Sequence, residues 1–390
     1  MGTTGVIGFF HMKRFRSFSV CIGIGAMAFV VCSAMPAFAS GTDAGRSNAP
    51  EGTYERAMVE QVSQRTRTTP TGGVQTTVYS VRMLSGSEQG KTHDVSGEPD
   101  TNPNRIDPRE GDTIVIFSQI GQDGSSQYYL EGFDRRGAVG WLVLLFVVTL
   151  VLLSGWQGFK VAVSILFSIA LIGYVLIPLF LRGVPAVPVA IVLMGVFAFI
   201  STGLTTGWNR KSYVTAIGTV GGAIMAYAIS VWFANWAHLS GLSSEEDRLF
   251  FDKNPHLSPQ GLLFAGIIIA SAGVVEDVAV SIASGVAEVR RANPRMTFIE
   301  LFRSGMVIGN DHMGALANTL VYAYVGGSLS TLLLFKQFGS SWLKFINFDT
   351  IVDEIIRSLS GTIGLVFTVP ITALLSAWVM QKGKQPQTKL

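Results

Sequence analysis

Apolar and polar positions follow two different rhythms along this chain. From about residue 138 onward, long apolar runs recur at roughly 138–155, 160–181, 186–206, 212–237, 261–286, 313–335 and 360–380. Each approaches the ~20 residues that a helix needs to cross a bilayer core, so the pattern predicts a bundle of seven transmembrane helices over 138–380. Ahead of them, YERAMVEQV, VQTTVYSVRML, DTIVIFSQ and QYYLEGF alternate with period two. Val74, Thr76, Val78 and Ser80 fall on one face, with Gln75, Thr77, Tyr79 and Val81 on the other, as in half-buried strands. Residues 40–137 therefore read as a small all-β domain of the OB-like, five-stranded type, with 86–108 as a Gly/Pro/Asn-rich loop.

Two of the apolar runs carry polar stripes. On the first, Gly266, Ala270, Gly273, Asp277, Ser281, Ser284 and Glu288 recur at helical spacing. On the second, Asp311, Gly314, Asn318, Tyr322 and Gly326 do the same. Small residues let helices approach closely, and polar groups in lipid must face protein or a water-filled cavity. The two stripes are expected to face one another or a shared cavity, with Gly273, Gly309 and Gly314 as close helix contacts. Between them, 297–306 reads as a short amphipathic elbow, begun after Asn293-Pro294 and capped by Thr297 and Glu300.

Composition narrows the class. Of 390 residues, 48% are hydrophobic and only 14% charged, against about 25% charged in soluble domains, so the chain reads as a polytopic membrane protein. Lys13, Arg14 and Arg16 precede an apolar stretch and an Ala37-Phe38-Ala39 cleavage signature, so 1–39 reads as a signal peptide, with an uncleaved anchor as the alternative. Cys21 and Cys32 both lie inside it, which leaves the mature chain without disulfides or thiolate metal sites. The loops that hold Lys160, Arg210, Lys211 and Arg290, with the tail after 381, carry more cations than the opposite set. The positive-inside rule then puts the C-terminus in the cytoplasm of a bacterial inner-membrane protein and the β domain outside.

The candidate chemistry is sparse. Asp277 is an acid within a span, where such groups are costly and functional by default, so it reads as a proton-binding coupling group. Glu276 stands beside it. Asp311, Asn318, Ser281, Ser284 and Tyr322 would complete a path or bind a cation, or else tie helix to helix. Glu288 and Arg291 form an expected ion pair at the cytoplasmic boundary. His238, His256 and His312 are scattered, no catalytic motif is present, and the β domain has no basic, aromatic-studded face. The expectations are therefore no enzyme activity, no metal, no cofactor and no nucleic-acid partner.

The run VVEDVAVSIASGVAEVRRANP, followed by ELFRSGMVIGNDHMGALANTLVYAYVGGSLSTLLLF, resembles the YibE/F-like family of bacterial multi-span membrane proteins. The resemblance extends to the Gly111-Asp112 strand entry and to Asp134-Arg135-Arg136 before the first span. It marks Asp277, Ser281, Glu288, Gly309, Asp311 and Asn318, whereas Glu276 stands where it implies an apolar residue. The resemblance implies no particular activity. The residues lead to a secondary permease for an unknown small solute or ion, coupled through Asp277 to protons or a cation. A non-transporting scaffold, docked to a protein partner or to a second copy, is the alternative.

Overall fold

The computed structural model describes residues 52–69, 72–99, 106–120, 126–337, 339 and 341–381. The expected signal at 1–39 and the basic tail after 381 lie outside the described residues. The chain forms two compact units that divide between Thr149 and Leu150.

In the first unit, β1 (Gly52–Thr69), β2 (Gly72–Met83), β3 (Thr92–Pro99), β4 (Thr113–Ile120) and β5 (Ser126–Phe133) build a half-barrel sheet. Its order is β3-β2-β1-β4-β5 and every neighbouring pair is antiparallel. Alternate residues supply the core: Ala57 and Val59 from β1, Tyr79, Val81 and Met83 from β2, Ile114 and Ile116 from β4. The loop expected at 86–108 in fact contains β3. That strand buries only Val95 and carries Gly and Pro, so it shows no apolar alternation. Across the open side, the rings of His93 on β3 and Tyr128 on β5 lie 4.6 Å apart, and both side chains meet Glu88.

The second unit is helical. α1 (Arg136–Leu171) runs through a π-helical turn, Ile172–Leu176, into α2 (Ile177–Leu181). Then follow α3 (Ala186–Thr206), α4 (Arg210–Trp236), α5 (Glu245–Lys253), α6 (Pro259–Ala292) and α7 (Phe298–Gly327). α8 (Leu329–Gln337), α9 (Trp342–Ile346) and α10 (Asp349–Gln381) complete the chain. Among the described residues five helices are long and apolar enough to span a bilayer, or six if α7 and α8, bent by 56°, make one broken span. The expected seven becomes five or six because Arg136–Leu181 is one 46-residue helical run. That run is not straight: Gly155 has φ 57° and ψ −133°, and a Cβ on Gly158 would strike the carbonyl of Leu150. Eight residues of straight helix would separate these groups by ~12 Å, so the chain turns back sharply at Gly155.

The bundle core is α4, α6, α7 and α10. On α4, Gly218, Gly222 and Ala226 lie four residues apart and meet Thr372, Thr368 and Gly364 of α10. A Cβ on Gly222 would also reach Val275 of α6 at 2.8 Å. Without side chains at these positions the backbones come into contact, and dispersion replaces the hydrophobic drive that lipid does not supply. Thr297 and Glu300 do make a reciprocal cap, but the helix they start continues for 30 residues. The short elbow expected at 297–306 is the first part of α7, since Gly305 and Gly309 pack on Ala373 and Val369 of α10 and stay helical there.

Candidate functional site

Two cavities adjoin along one face of α6. The outer one, about 340 Å³, lies among the π turn, α2, the segment before α5, the start of α6 and the start of α10. The inner one, about 240 Å³, is apolar and is walled by Leu171, Ile172, Met194, Phe197, Ala272 and Gly273. Leu176 and Ile269 belong to both, so these two side chains form the partition. On α6 the wall is Gly266, Ile269, Ala272 and Gly273, and the next turn of the same face brings Glu276. The π turn widens the helix where both cavities meet it, and such bulges occur frequently at functional sites.

Glu276 is 6% exposed, faces Ser201 of α3, and pairs with no Lys or Arg among the described residues. Nearby on α3, α4 and α10 the hydroxyls of Thr202, Thr215, Thr219, Thr372 and Ser376 are buried without a hydrogen-bond partner among the described residues. Buried polar groups are normally satisfied, so these hydroxyls are exceptions within an otherwise apolar bundle.

The outer cavity has its own charged groups. Asp353 and Arg357 lie one turn apart near the start of α10 and both line it, with Ser243 and Asp247. Asp353 is 4% exposed and its Oδ1 has no donor; the Nε of Arg357 has no acceptor. Arg357 comes within 3.9 Å of Glu354, beyond hydrogen-bond length. Asp247 already uses one oxygen to cap α5 through the backbone of Ser244.

The residues expected to form the site divide between two faces. Glu276 is buried, whereas Asp277, one residue on, is exposed, as are Glu288 and Gly273, the last of which also lines the inner cavity; Ser281 and Ser284 are half-buried. On α7, Asp311, Gly314, Asn318 and Tyr322 are all exposed, Tyr322 by 73%. The two stripes therefore do not face one another; of the α6 stripe Gly266 and Gly273 line the cavities, and no residue of the α7 stripe does. α6 and α7 meet instead through Gly285 against Ile308, Ile282 against Gly309 and Val286 against Gly305, contacts that turn the stripes away from one another. Close helix contact occurs at Gly309, where a Cβ would meet Val369 and Ile282. It does not occur at Gly273 or Gly314, where a Cβ would meet open space; the tight approaches are made by Gly218, Gly222, Gly305 and Gly364. Glu288 accepts from Arg291 at 2.7 Å and from Lys211 of α4 at 3.5 Å.

Sequence reasoning did not find Asp353, Arg357, Asp247, Ser201 or the π turn as parts of a site. The i, i+4 placement of Asp353 and Arg357 ahead of the last apolar run is the one pattern that could have signalled the outer cavity.

Long apolar helices, a seam of small residues and polar groups gathered around interior cavities define a polytopic helical membrane protein with an extramembrane β unit. The YibE/F-like protein family model matches residues 142–382, and the chain belongs to that family. No curated protein and no solved structure matches the chain.

Proposed function

We propose that the protein is a secondary permease of the bacterial inner membrane, in which a small solute moves along the α6 face of the two cavities and Glu276 couples that movement to protons. The observation that carries this reading is a buried acid, without a cationic partner, directly beyond a pair of adjoining cavities. An unpaired carboxylate in such surroundings is stable mainly in its protonated form, and taking up or losing that proton changes the charge of the path. The orphan hydroxyls of Thr202, Thr215 and Thr219 continue from the level of Glu276 toward the α3–α4 turn and supply a polar inner half. Asp277, on the outer face, then has no part in the path.

The topology belongs to the same proposal. Counting Arg136–Leu181 as two spans folded at Gly155, and α7 with α8 as one broken span, gives seven crossings. The distribution of Lys and Arg then puts Lys211, Glu288 and Arg291 at the cytoplasmic surface, and the β unit and the outer cavity outside. The order β3-β2-β1-β4-β5, with β3 and β5 approaching at His93 and Tyr128, fits an OB-like barrel with one open seam. A cleaved signal at 1–39 agrees with an outer β unit.

A second reading has one specific observation in its favour. The exposed Asp277, Asp311, Asn318 and Tyr322 form a polar membrane-facing surface that lipid would penalise, which fits a scaffold that holds another subunit. Proton flux into liposomes that contain the purified protein separates the two. A permease acidifies the lumen when its solute is supplied, loses that flux in Glu276→Gln and keeps it in Asp277→Asn. Silence of the wild type across a broad panel of solutes would sink the permease reading and leave the scaffold.

A further inference from the structure

We propose that the outer cavity is a recognition site for a small zwitterion of neutral α-amino acid chemistry, an ammonium and a carboxylate a few atoms apart with a compact apolar substituent. This rests on the permease reading and names its substrate class. The wall carries a carboxylate, Asp353, and a guanidinium, Arg357, whose covered Oδ1 and Nε have no hydrogen-bond partner among the described residues. The two sit at i, i+4 on α10, with Cβ atoms ~6 Å apart, yet neither satisfies the other. A ligand that brings both a cationic donor and an anionic acceptor complements both charges of this wall at once.

A simple cation would satisfy Asp353 but face the Arg357 guanidinium. A simple anion would satisfy Arg357 but face Asp353 and Asp247. Only a ligand with both charges matches the wall. Ser243 adds a hydroxyl on the Asp353 side. The rest of the lining is apolar, Leu262, Leu263, Phe180 and Ile269 among it, and Ile269 and Leu176 separate it from the apolar inner cavity. The charged head of the ligand is thus held at α10 and its substituent points along α6 toward Glu276. A volume of about 340 Å³ lies within the range of small-molecule sites.

The test is equilibrium binding to the full chain in detergent, with no gradient, using glycine, alanine and leucine as probes. Leucine amide, which lacks the carboxylate, and 4-methylpentanoate, which lacks the ammonium, serve as single-charge analogues. At least one zwitterion is expected to bind saturably, with both analogues weaker by ~10-fold or more, because each leaves one wall group unpaired. Asp353→Asn should lower the preference for leucine over 4-methylpentanoate, and Arg357→Gln the preference over leucine amide. The comparison of ligands on the wild type stands even if either variant fails to fold. Absence of saturable binding by all three zwitterions, or equal binding of the analogues, overturns the proposal. Binding that persists while liposome flux is absent would sink the permease reading and leave this site standing; proton-coupled flux of another solute, without zwitterion binding, would do the reverse.

Discussion

Two carboxylates, one in each unit, are differently furnished. Asp134, between β5 and α1, has a side chain 7% exposed and is gripped by Arg136 at 2.9 Å and Arg56 at 2.8 Å. The Arg136 guanidinium, then its backbone amide and Arg56, hold the Asp134 carboxyl well below the usual carboxylate range. Glu276, 6% exposed, has one hydroxyl and no cation. The contrast teaches how to tell a structural acid from a working one. A carboxylate with two guanidiniums ties strands to helix, whereas the proposed coupling acid has only the Ser201 hydroxyl beside it among the described residues.

The strongest way to break this comparison is to neutralise Glu276. Glu276→Gln should reduce solute-dependent proton flux to the empty-liposome background while the protein remains folded; full flux from the variant would make Glu276 one more helix tie. Next comes the seam that holds it. Gly222 lies against Val275, the residue before Glu276, and against Thr368. Gly222→Leu forces a side chain into backbone contact and should cost ~3 kcal/mol, read as a lower unfolding midpoint in detergent.

Neutralising Asp134 should do the opposite of neutralising Glu276. Asp134→Asn should leave flux intact and destabilise the β unit by ~1 kcal/mol, since its partners are half exposed. The pH dependence has a definite sign. With its folded-state pKa depressed, the Asp134 contribution is fully present above the ordinary carboxylate value of ~4 and is lost as pH falls through the depressed one. Protection of the β-unit amides, corrected for intrinsic exchange, should fall in the wild type as pH drops below ~4 and change less in Asp134→Asn. The smallest effect belongs to the outward face: Gly314→Leu, where a Cβ meets open space, should shift stability by less than ~0.5 kcal/mol. A large loss there would mean that another subunit covers this face.

Much of this was legible in the order of residues. The class followed from apolar runs near bilayer length, the strands β1, β2, β4 and β5 from period-two alternation, and the α7 cap from Thr297 and Glu300. β3 was not legible, because a strand that buries only Val95 has no apolar rhythm. Nor was Gly155 distinguishable, among so many glycines, as the one with a positive φ inside a helical run. The stripes on α6 and α7 were visible as stripes, but their direction was not.

The sequence by itself determined that the chain enters a membrane, where polar residues recur on its helices, and that an acid pair lies mid-span. Only the tertiary structure decided which acid is inside. Neighbouring residues on a helix point about 100° apart, so Glu276 and Asp277 differ by a rotation of α6 that its own pattern leaves open. The rotation is set by close contacts with α4, α7 and α10, in which glycines meet side chains that lie from about twenty to about ninety residues away in the chain. The same long-range packing brings Asp353 and Arg357 of the last helix to the outer end of α6, a juxtaposition that local periodicity does not encode.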